Sequence, residues 1–387
     1  MTRSHKISAI ILAAGFSRRM GTFKPLMRLG GQAVLDRVIA LYADAGVKDI
    51  RVVTGHRASA IRSALASRPV SVVHNPDYET GMFSSVRAGV HALPPDARAF
   101  FVHPADIPLV RPHTATTLMD AFDDNPAAVT YPVFDDLRGH PPLVHGELKD
   151  DILSHDGSGG LRVLLRRFVS KARNIQVADE GVMLDLDTPD DFQHVSTRLA
   201  RSDILTDDEC RVLMEKVIVL PRPVIDHCRQ VACVAETVAS AVNGSGGVID
   251  VPLVQSAARV HDVARLERNH AAAGAGLLNE MGLPAMAAIV AVHMDINVFE
   301  DSPLDEAQVV YLADKLVAGS TVVSLSQRFD AKLKKYGHDP KISEKISQRR
   351  RAAFNIQNKV ERTSGDTIHQ ILKKAGIINW SQPCETS

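Results

Sequence analysis

The pattern of apolar residues changes about half-way along this chain of 387 residues. From Ile7 to about Val195, short runs rich in β-branched residues alternate with segments of helical periodicity. From Ala200 onward, helical periodicity continues without convincing strands. Alternating strands and helices are typical of βαβ units, so the first half predicts an α/β doubly wound sheet and the second half an all-α domain. The predicted domains cover residues 1–198 and 205–335, followed by a basic helical C-terminal extension over residues 336–387.

The predicted strands of the first half are Ser8–Leu12, Asp49–Thr54, Val70–Val73, Ala99–Val102 and Ala127–Tyr131. The helices expected between them are Ala33–Ala45, Arg57–Ala66, Phe83–Ala92 and Arg111–Asp124. The helices expected in the second half are Asp207–Val219, Pro223–Val242, Pro252–Val263, His270–Met281, Pro284–His293 and Glu306–Ser320. In a doubly wound, Rossmann-like sheet, ligands bind beyond the carboxyl ends of the strands. We therefore expect a binding site where the loops after Leu12 and Val102 emerge.

Composition limits the classes of partner. Lysine and arginine together number 45, as do aspartate and glutamate, so the balanced charge argues against a nucleic-acid partner. The four cysteines are not arranged in paired C-x-x-C spacings, which argues against a zinc knuckle or disulfide framework and suits a reducing compartment. The sequence contains neither an apolar run of transmembrane length nor a signal-peptide pattern, so we expect a cytoplasmic protein with no membrane partner.

A glycine-containing, cationic loop follows the first predicted strand, with the sequence Leu-Ala-Ala-Gly-Phe-Ser-Arg-Arg-Met-Gly-Thr-Phe-Lys from Leu12 to Lys24. Glycine lets backbone N–H groups approach phosphates, a serine hydroxyl can donate, and basic side chains supply positive charge. A lone glycine-containing loop is more often an ordinary turn, but the spacing here predicts a cradle for a nucleoside triphosphate. The expected phosphate-binding residues are Leu12, Ala13, Ala14, Gly15, Ser17, Arg18, Arg19 and Lys24.

Two acidic positions are expected beside this loop. Asp106 lies at the carboxyl end of a predicted strand, and Asp185-Leu186-Asp187 is interpreted as a short strand in which one of two acids faces the site. A bound triphosphate is strongly anionic and is usually neutralised by a divalent cation, which carboxylates can hold. Either aspartate alone is more typical of a solvated loop, but both in register with a cationic loop indicate a cation site.

The order Leu-Ala-Ala-Gly-x-Ser-x-Arg-Met-Gly-x-x-Lys resembles the nucleotidyltransferase loop, specifically that of the molybdenum cofactor cytidylyltransferases, the MobA-like enzymes. The resemblance implies Mg²⁺ on Asp106 and Asp187, and catalytic roles for Lys24, Arg18, Arg19 and Asp106. It also implies transfer of CMP from CTP to molybdopterin-type molybdenum cofactor with release of pyrophosphate. Related guanylyl enzymes usually carry glycine where this chain has Ala14, which favours CTP over GTP. A molybdoenzyme or its chaperone is the protein partner that fits this activity.

The resemblance extends over nearly the whole first half. The stretch Gly81-Met82-Phe83-Ser84-Ser85 resembles the family's Gly-Met-x-x-Ser loop, which implies that Gly81, Ser84 and Ser85 lie near the base and ribose. The run from Gly139 to Pro142 resembles a Gly-His-Pro motif on the pterin side. The segment from Asp156 to Arg162 departs from the family's Gly-Asp-x-Gly-Ala-Arg turn, so a sugar or polyol phosphate stays open as an alternative acceptor.

Six histidine and aspartate positions stand out in the second half: His227, His261, Asp262, His270, His293 and Asp314. Imidazole and carboxylate suit Fe, Mn, Zn or Co, and helices that each contribute a ligand can close on one or two metal ions. The order resembles the HD superfamily of metal-dependent phosphohydrolases, in particular its dinuclear members. The resemblance implies hydrolysis of a phosphoester or phosphoanhydride, and the alternative is a regulatory module that senses metal or nucleotide without catalysis.

Positive charge is concentrated near the end of the chain. Between Arg328 and Arg362 there are eleven lysines or arginines against four acids, with apolar residues at roughly helical intervals. We interpret this segment as a packed helix with a solvated basic face, and the alternative is a surface for an anion or an acidic partner.

Overall fold

The computed structural model describes residues 6–299 and 301–377. The chain divides into two compact units, which meet in the sequence between Ser202 and Asp203. Residues 378–387 of the predicted C-terminal extension, with Cys384, lie outside the described residues. Within the part of the chain that the structure describes, no helix combines the length and the apolar character needed to cross a membrane.

The strands of the first unit are β1 (Ile7–Ala13), β2 (Arg28–Leu29), β3 (Gln32–Ala33), β4 (Asp49–Thr54), β5 (Ser71–His74), β6 (Ala99–Pro104), β7 (Val129–Phe134), β8 (Leu137–Arg138), β9 (Leu143–His145) and β10 (Ala172–Gln176). Its helices are α1 (Val34–Asp44), α2 (Ala58–Ala64), α3 (Met82–His91), α4 (Pro112–Asp124), α5 (Lys149–Ser154), α6 (Gly160–Arg166) and α7 (Pro189–Ala200).

The main sheet has the strand order β10-β7-β9-β6-β1-β4-β5, with β8 paired to β7. The predicted α/β class is confirmed, and β1, β4, β5 and β6 are parallel as expected. The sheet is mixed, however, because β9 runs antiparallel to both β6 and β7. Three residues are too short a run to produce a recognisable strand pattern, which is why the sequence prediction missed β9.

The centre of this sheet is buried on both faces. In β1, Ile7, Ala9, Ile10 and Ile11 are at most 2% exposed, as expected for a parallel strand covered by helices on both sides. Leu12 of β1 lies opposite Pro104 of β6, and the backbone N–H of Ala105 donates to the carbonyl of Leu12 at 3.0 Å. The loops that follow these two strands therefore start side by side at one edge of the sheet.

The second unit is mainly helical, as predicted. Its helices are α8 (Asp207–Val212), α9 (Arg222–Gly244), α10 (Val251–Val260), α11 (His270–Glu280), α12 (Pro284–Val292), α13 (Glu306–Lys315), α14 (Leu325–Tyr336), α15 (Pro340–Ser364) and α16 (Ile368–Lys374), with a π-helix at Leu213–Val217 after α8. Two short strands that the sequence pattern did not predict, β11 (Val317–Ala318) and β12 (Thr321–Val322), form a hairpin after α13.

The long helix α9 occupies the centre of the second unit and packs against α10, α13, α15 and α16. The basic helix α15 buries an apolar stripe of Ile346, Ala353, Ile356 and Val360, as the interpretation as a packed helix requires. Cys210, Cys228 and Cys233 are free thiols.

Candidate active sites

A cavity of about 540 Å³ lies where the loops after β1 and β6 emerge. Most of the residues singled out in the first half line it, namely Leu12, Ala13, Ala14, Gly15, Ser17, Arg18, Arg19, Lys24, Gly81, Ser85, Asp106 and Asp187. Ser84 departs from the expectation, because it is buried behind the cavity and its hydroxyl bonds to the carbonyls of Asp77 and Gly81.

The loop after β1 presents polar groups to this cavity. Ser17 has a left-handed backbone with φ of 56°, and its Oγ accepts a hydrogen bond from the backbone N–H of Lys24 at 3.0 Å. The hydroxyl hydrogen of Ser17 is thereby left to donate elsewhere. A Cβ on Gly15 would meet no protein atom within 4 Å, so the absence of a side chain there leaves the cavity wall free for close approach by a ligand.

Lys24 brings the two aspartates together. Its Nζ donates to Oδ2 of Asp106 at 3.1 Å and to Oδ1 of Asp187 at 2.7 Å, while Arg19 pairs with the second oxygen of Asp187 at 2.8 Å. Burial lowers the pKa of Lys24, but the bond to Asp187 and the charge of Asp106 outweigh that effect and raise the pKa above its usual value. Two carboxylates that meet on one cation form a donor set that fits Mg²⁺.

Backbone contacts hold the two carboxylates in register. The segment Asp185-Leu186-Asp187 has no regular secondary structure, so its interpretation as a short strand is wrong. It is instead fixed by the N–H of Leu186, which donates to the carbonyl of Asp106 at 2.9 Å. Immediately after it, α7 begins with a capping box between Thr188 and Asp191, whose carboxylate also accepts from the N–H of Asp187 at 3.2 Å.

A buried histidine supports the loop of Asp106 from behind. His103 is fully buried, and its Nε2–H donates to the carbonyl of Ile107 at 2.9 Å, because a carbonyl can only accept. Its Nδ1 therefore accepts from the hydroxyl of Tyr42, also at 2.9 Å. Burial lowers the pKa of His103 to about 3, so the ring is neutral at physiological pH.

Aromatic side chains at the cavity were not assigned from the sequence. The ring of Phe16 lies 5.3 Å from that of Tyr78 and 5.1 Å from that of His56, and the guanidinium of Arg18 lies 4.5 Å above Phe16. Phe16 and Tyr78 both line the cavity and can stack against a planar base. The sequence feature that could have revealed this aromatic wall is Phe16, which directly follows Gly15.

A second cavity of about 540 Å³ shares Leu12, Met82 and Pro104 with the first. Its other wall carries polar and aromatic side chains, namely Tyr131, Arg138, His140, Arg162 and Arg166. Partial loss of solvation lowers the pKa of His140 below its usual value. His140 and Arg162 belong to the sequence motifs described above, whereas Tyr131, Arg138 and Arg166 lie outside them.

In the second unit the six histidine and aspartate positions form one cluster. The Nδ1 atoms of His227, His261 and His293 lie 2.7 Å from the backbone carbonyls of Gly319, Ala258 and Val290, respectively. Since a carbonyl only accepts, each Nδ1 carries the proton. When such a ring is neutral, the lone pair of its Nε2 faces the cluster, which is the arrangement found in metal-binding histidines.

The carboxylates lie among these nitrogen atoms. Asp262 Oδ1 is 3.3 Å from Nε2 of His270 and 3.4 Å from Nε2 of His293, and Asp314 Oδ1 is 3.1 Å from Nε2 of His227. Three of these buried atoms, His261 Nε2, Asp262 Oδ1 and His293 Nε2, have no hydrogen-bond partner. Burial lowers the pKa of His261 to about 4, which keeps its ring neutral.

Two groups in this cluster have ligand atoms within 4.8 Å of one another. One group is His227, His261 and Asp262, and the other is Asp262, His270 and His293. Buried lone pairs without donors are costly unless a cation satisfies them, so this donor set fits divalent metal ions. Because Asp262 belongs to both groups, it could contact two ions.

Comparisons with known proteins match the two halves of the chain to different families. Residues 9–174 match the family model of the MobA-like NTP transferase domain, and residues 224–319 match that of the HD domain. The molybdenum cofactor cytidylyltransferase of Escherichia coli is 28% identical over 187 residues, which are 48% of this chain and 93% of that protein. The bifunctional IPC transferase and DIPP synthase of Rubrobacter xylanophilus is 36% identical over 137 residues, which are 34% of this chain and 30% of that protein. The structure of Rv0371c from Mycobacterium tuberculosis aligns with a TM-score of 0.44 and 27% identity over 49% of this chain and 98% of that chain.

Proposed function

Since the chain is an enzyme that joins a MobA-like NTP transferase domain to an HD domain, we propose that its first half transfers CMP from CTP to the molybdenum cofactor with release of pyrophosphate. The observation that carries this proposal is the meeting of Asp106 and Asp187 on Lys24 beside the loop of Gly15. The similarity to the cytidylyltransferase of Escherichia coli supports the choice of donor and acceptor.

The residues around the first cavity have distinct roles in this proposal. The backbone N–H groups of the loop after β1, the hydroxyl of Ser17 and the guanidinium of Arg18 bind the triphosphate. Asp106 and Asp187 would hold Mg²⁺, which neutralises the charge of the phosphates when it is bound. In the structure, Lys24 and Arg19 pair with these carboxylates. In the proposed complex, both side chains would bind phosphate oxygens instead.

The reaction itself needs little from the protein beyond orientation. The terminal phosphate oxygen of the acceptor attacks the α-phosphorus of CTP, one P–O bond forms, and the bond to pyrophosphate breaks. No general base is required because the acceptor is already an anion. The catalytic contribution of the chain is therefore positioning and charge neutralisation by the residues of the loop.

The second cavity is the proposed acceptor site. It opens from the first cavity at Leu12, Met82 and Pro104, so an acceptor bound there would reach the α-phosphate. Its guanidinium groups suit the acceptor phosphate and Tyr131 suits a planar ring. A sugar or polyol phosphate is the second candidate acceptor, because the segment of Gly159 to Arg162 that lines this cavity departs from the cytidylyltransferase pattern.

The test is pyrophosphate release by the full chain with Mg²⁺, measured as total phosphate after added pyrophosphatase, so that hydrolysis by the second half does not change the result. CTP, GTP and UTP are each offered with molybdenum cofactor and, separately, with a panel of sugar and polyol phosphates. We expect release from CTP with the cofactor, and its loss in an Asp106→Asn variant. An Asp120→Asn variant, altered outside both cavities, is the control. Release with UTP and a sugar phosphate alone would overturn the molybdenum assignment.

For the second half we propose metal-dependent hydrolysis of phosphoesters or phosphoanhydrides. His227, His261, Asp262, His270, His293 and Asp314 would hold one or two divalent ions of Fe, Mn, Zn or Co, which activate water and neutralise the leaving oxygen when they are bound. The three buried atoms without partners support this assignment. Backbone carbonyls fix the tautomers of three histidines, so the chain presents lone pairs to the ions without rearrangement.

Metal analysis together with turnover tests the second half. The full chain is loaded with Mn²⁺, Fe²⁺, Zn²⁺ or Co²⁺, its metal content is measured by mass spectrometry, and phosphate release is followed on a panel of esters and anhydrides. We expect up to two ions per chain and turnover with at least one metal. An Asp262→Asn variant should lose most of both. Bound metal without turnover on any substrate would instead support a sensing module.

A further inference from the structure

The cavity beside the histidine and aspartate cluster has a strongly basic wall. This cavity of about 320 Å³ is lined on one side by His227, Asp262, His293 and Asp314. Five cationic side chains also line it, namely Arg265, Lys315, Arg328, Lys332 and Arg349. The HD family match ends at residue 319, so the last three cations are contributed by helices beyond it.

Three of these cations have partners within the protein. Lys315 donates to Asp314 and to the carbonyl of His293, the latter at 2.9 Å. Arg349 makes a two-pronged pair with Asp295 at 2.7 and 2.8 Å. The guanidinium of Arg265 lies 3.6 Å from Asp262. These contacts neutralise or orient the groups that make them.

Arg328 and Lys332 differ from the other three. They lie one turn apart on α14, so both side chains project from one face of the helix toward the cavity. Among the residues that the structure describes, neither side chain forms an ion pair, and the Nε of Arg328 is buried without a hydrogen-bond partner. Burial, together with the charges of Arg328 and Lys315, lowers the pKa of Lys332 to about 8. Two desolvated cations side by side are unfavourable unless an anion binds between them.

The shape and the remaining lining limit what that anion can be. Apart from histidine, no aromatic ring lines this cavity among the described residues, and its apolar side chains are Pro223, Val224 and Met294. A volume of about 320 Å³ is near the lower end for ligand sites. The cavity therefore suits a compact polyanion better than a ligand that depends on stacking.

We propose that Arg328 and Lys332 bind a phosphate group adjacent to the one hydrolysed at the cluster, so that the second half acts on compact diphosphates such as inorganic pyrophosphate. This inference rests on the hydrolase function proposed above. In the reaction one water is consumed, a P–O bond forms to the water oxygen and the bridging P–O bond breaks. Two phosphates and one proton result when pyrophosphate enters as its trianion, HP₂O₇³⁻, and both products leave as HPO₄²⁻. Such a reaction would consume the pyrophosphate that the first half is proposed to release.

The test compares two double variants of the full, Mn²⁺-loaded chain. The first is Arg328→Gln with Lys332→Gln, and the matched control is Lys334→Gln with Lys335→Gln, which removes two exposed charges from the same helix. Hydrolysis of pyrophosphate is compared with that of p-nitrophenyl phosphate, which has a single phosphate. Calorimetric titration with methylenediphosphonate, a non-hydrolysable diphosphate, measures binding in proteins that also carry Lys24→Ala, so that the first cavity contributes little.

We expect the first variant to lose about tenfold or more in kcat/KM for pyrophosphate and in affinity for methylenediphosphonate, with a change of no more than about twofold on p-nitrophenyl phosphate. The control should match the parent protein. Equal losses on both substrates, or unchanged diphosphonate affinity, would overturn the proposal. If no substrate is hydrolysed, the hydrolase assignment fails, while the diphosphonate titration still decides whether Arg328 and Lys332 bind a diphosphate.

Discussion

At the scale of single residues, charge balance at Lys24 is central to the first site. This lysine is 8% exposed, and its ammonium contacts one oxygen from each of two carboxylates that are 81 positions apart in the sequence. Two carboxylates that contact the same ammonium group are close enough to repel each other unless a cation lies between them. The lysine and a divalent ion are therefore alternative counter-charges for the same pair.

Replacement of Lys24 by alanine should make the first unit more dependent on Mg²⁺. Without the ammonium, Asp106 and Asp187 repel each other, and we expect a loss of about 1 kcal/mol, or about 3 °C in Tm, which millimolar Mg²⁺ restores. Transfer should fall about 100-fold or more, because a buried charge at the phosphates is lost. Differential scanning calorimetry with and without Mg²⁺ measures the first effect. An equal Mg²⁺ response in Lys24→Ala and in the exposed control Lys48→Ala would contradict it.

His103 should make stability depend on pH in the acid range. Its pKa is about 3 in the folded chain and about 6.5 when exposed, so below pH 6.5 the unfolded state binds a proton that the folded state does not. Its contribution to stability is therefore complete above pH 6.5 and decreases by about 1.4 kcal/mol per pH unit as the pH falls toward 3. Urea unfolding of the parent and of His103→Gln at pH 7, 6 and 5 measures this.

The glutamine in that variant can accept from Tyr42 and donate to Ile107, but it does not titrate. We expect His103→Gln to be less stable than the parent protein at pH 7. The difference in stability between the two proteins should shrink as the pH is lowered. Parallel pH profiles for the two proteins would show that His103 does not remain neutral in the folded state.

At the scale of elements, the first site depends on the junction between three segments. The ends of β1 and β6 are neighbours in the sheet, and the segment before α7 is joined to the loop after β6 by the Leu186 to Asp106 backbone bond. The start of α7 fixes the direction of Asp187, because the carboxylate of Asp191 bonds to the N–H groups of Asp187 and Thr188. Helix capping and the orientation of Asp187 are thus coupled at one position.

Thr188→Ala should test this coupling. Loss of the cap is expected to cost about 1 kcal/mol of stability and to raise the Mg²⁺ concentration needed for half-maximal transfer several-fold, since Asp187 becomes less well oriented. The matched control is Thr206→Ala, which removes the same capping box from α8 in the second unit. Stability is followed by thermal unfolding and transfer by consumption of radiolabelled CTP. If both variants shifted the Mg²⁺ dependence equally, the effect would be one of general stability.

The elements also show where sequence reasoning succeeds. The strand ending at Ala13 and the loop of Gly15 are encoded by a continuous apolar run and by neighbouring residues, so both could be predicted. The conformation of Asp185 to Asp187 could not, because a hydrogen bond to a residue about 80 positions away determines it. The side chains of Arg328 and Lys332 were interpreted as part of a solvated basic face, since periodicity does not reveal that α14 places them at a cavity.

At the scale of the whole molecule, each site is built from the residues of one unit. Every residue assigned to nucleotide, acceptor and Mg²⁺ lies before Ser202, and every residue of the histidine and aspartate cluster lies after it. The net formal charge of the chain is zero, so anion binding at any of the three cavities would depend on local clusters of cations. Such local fields are short-ranged at physiological ionic strength.

Because each site is built from the residues of one unit, we expect the two sites to be inactivated separately. We expect Asp106→Asn to lower the rate of transfer from CTP by about 100-fold or more. The metal content of the cluster should stay within about 20% of the parent value. Asp262→Asn should remove the cluster metals and leave the initial rate of transfer unchanged. Transfer is followed by consumption of radiolabelled CTP, because hydrolysis of pyrophosphate in the second half would distort a pyrophosphate assay.

Substitutions at independent sites combine additively, so the double variant should show the sum of the two single effects. Additivity is measured as the effect of Asp262→Asn on the transfer rate in two backgrounds. The ratio of rates between the parent and Asp262→Asn should equal the ratio between Asp106→Asn and the double variant. A transfer rate that falls several-fold in Asp262→Asn alone, with the first unit still folded by calorimetry, would mean that metal binding in the second unit controls the first. That result would favour the regulatory interpretation of the HD domain, since an independent hydrolase has no means of changing the rate at Asp106.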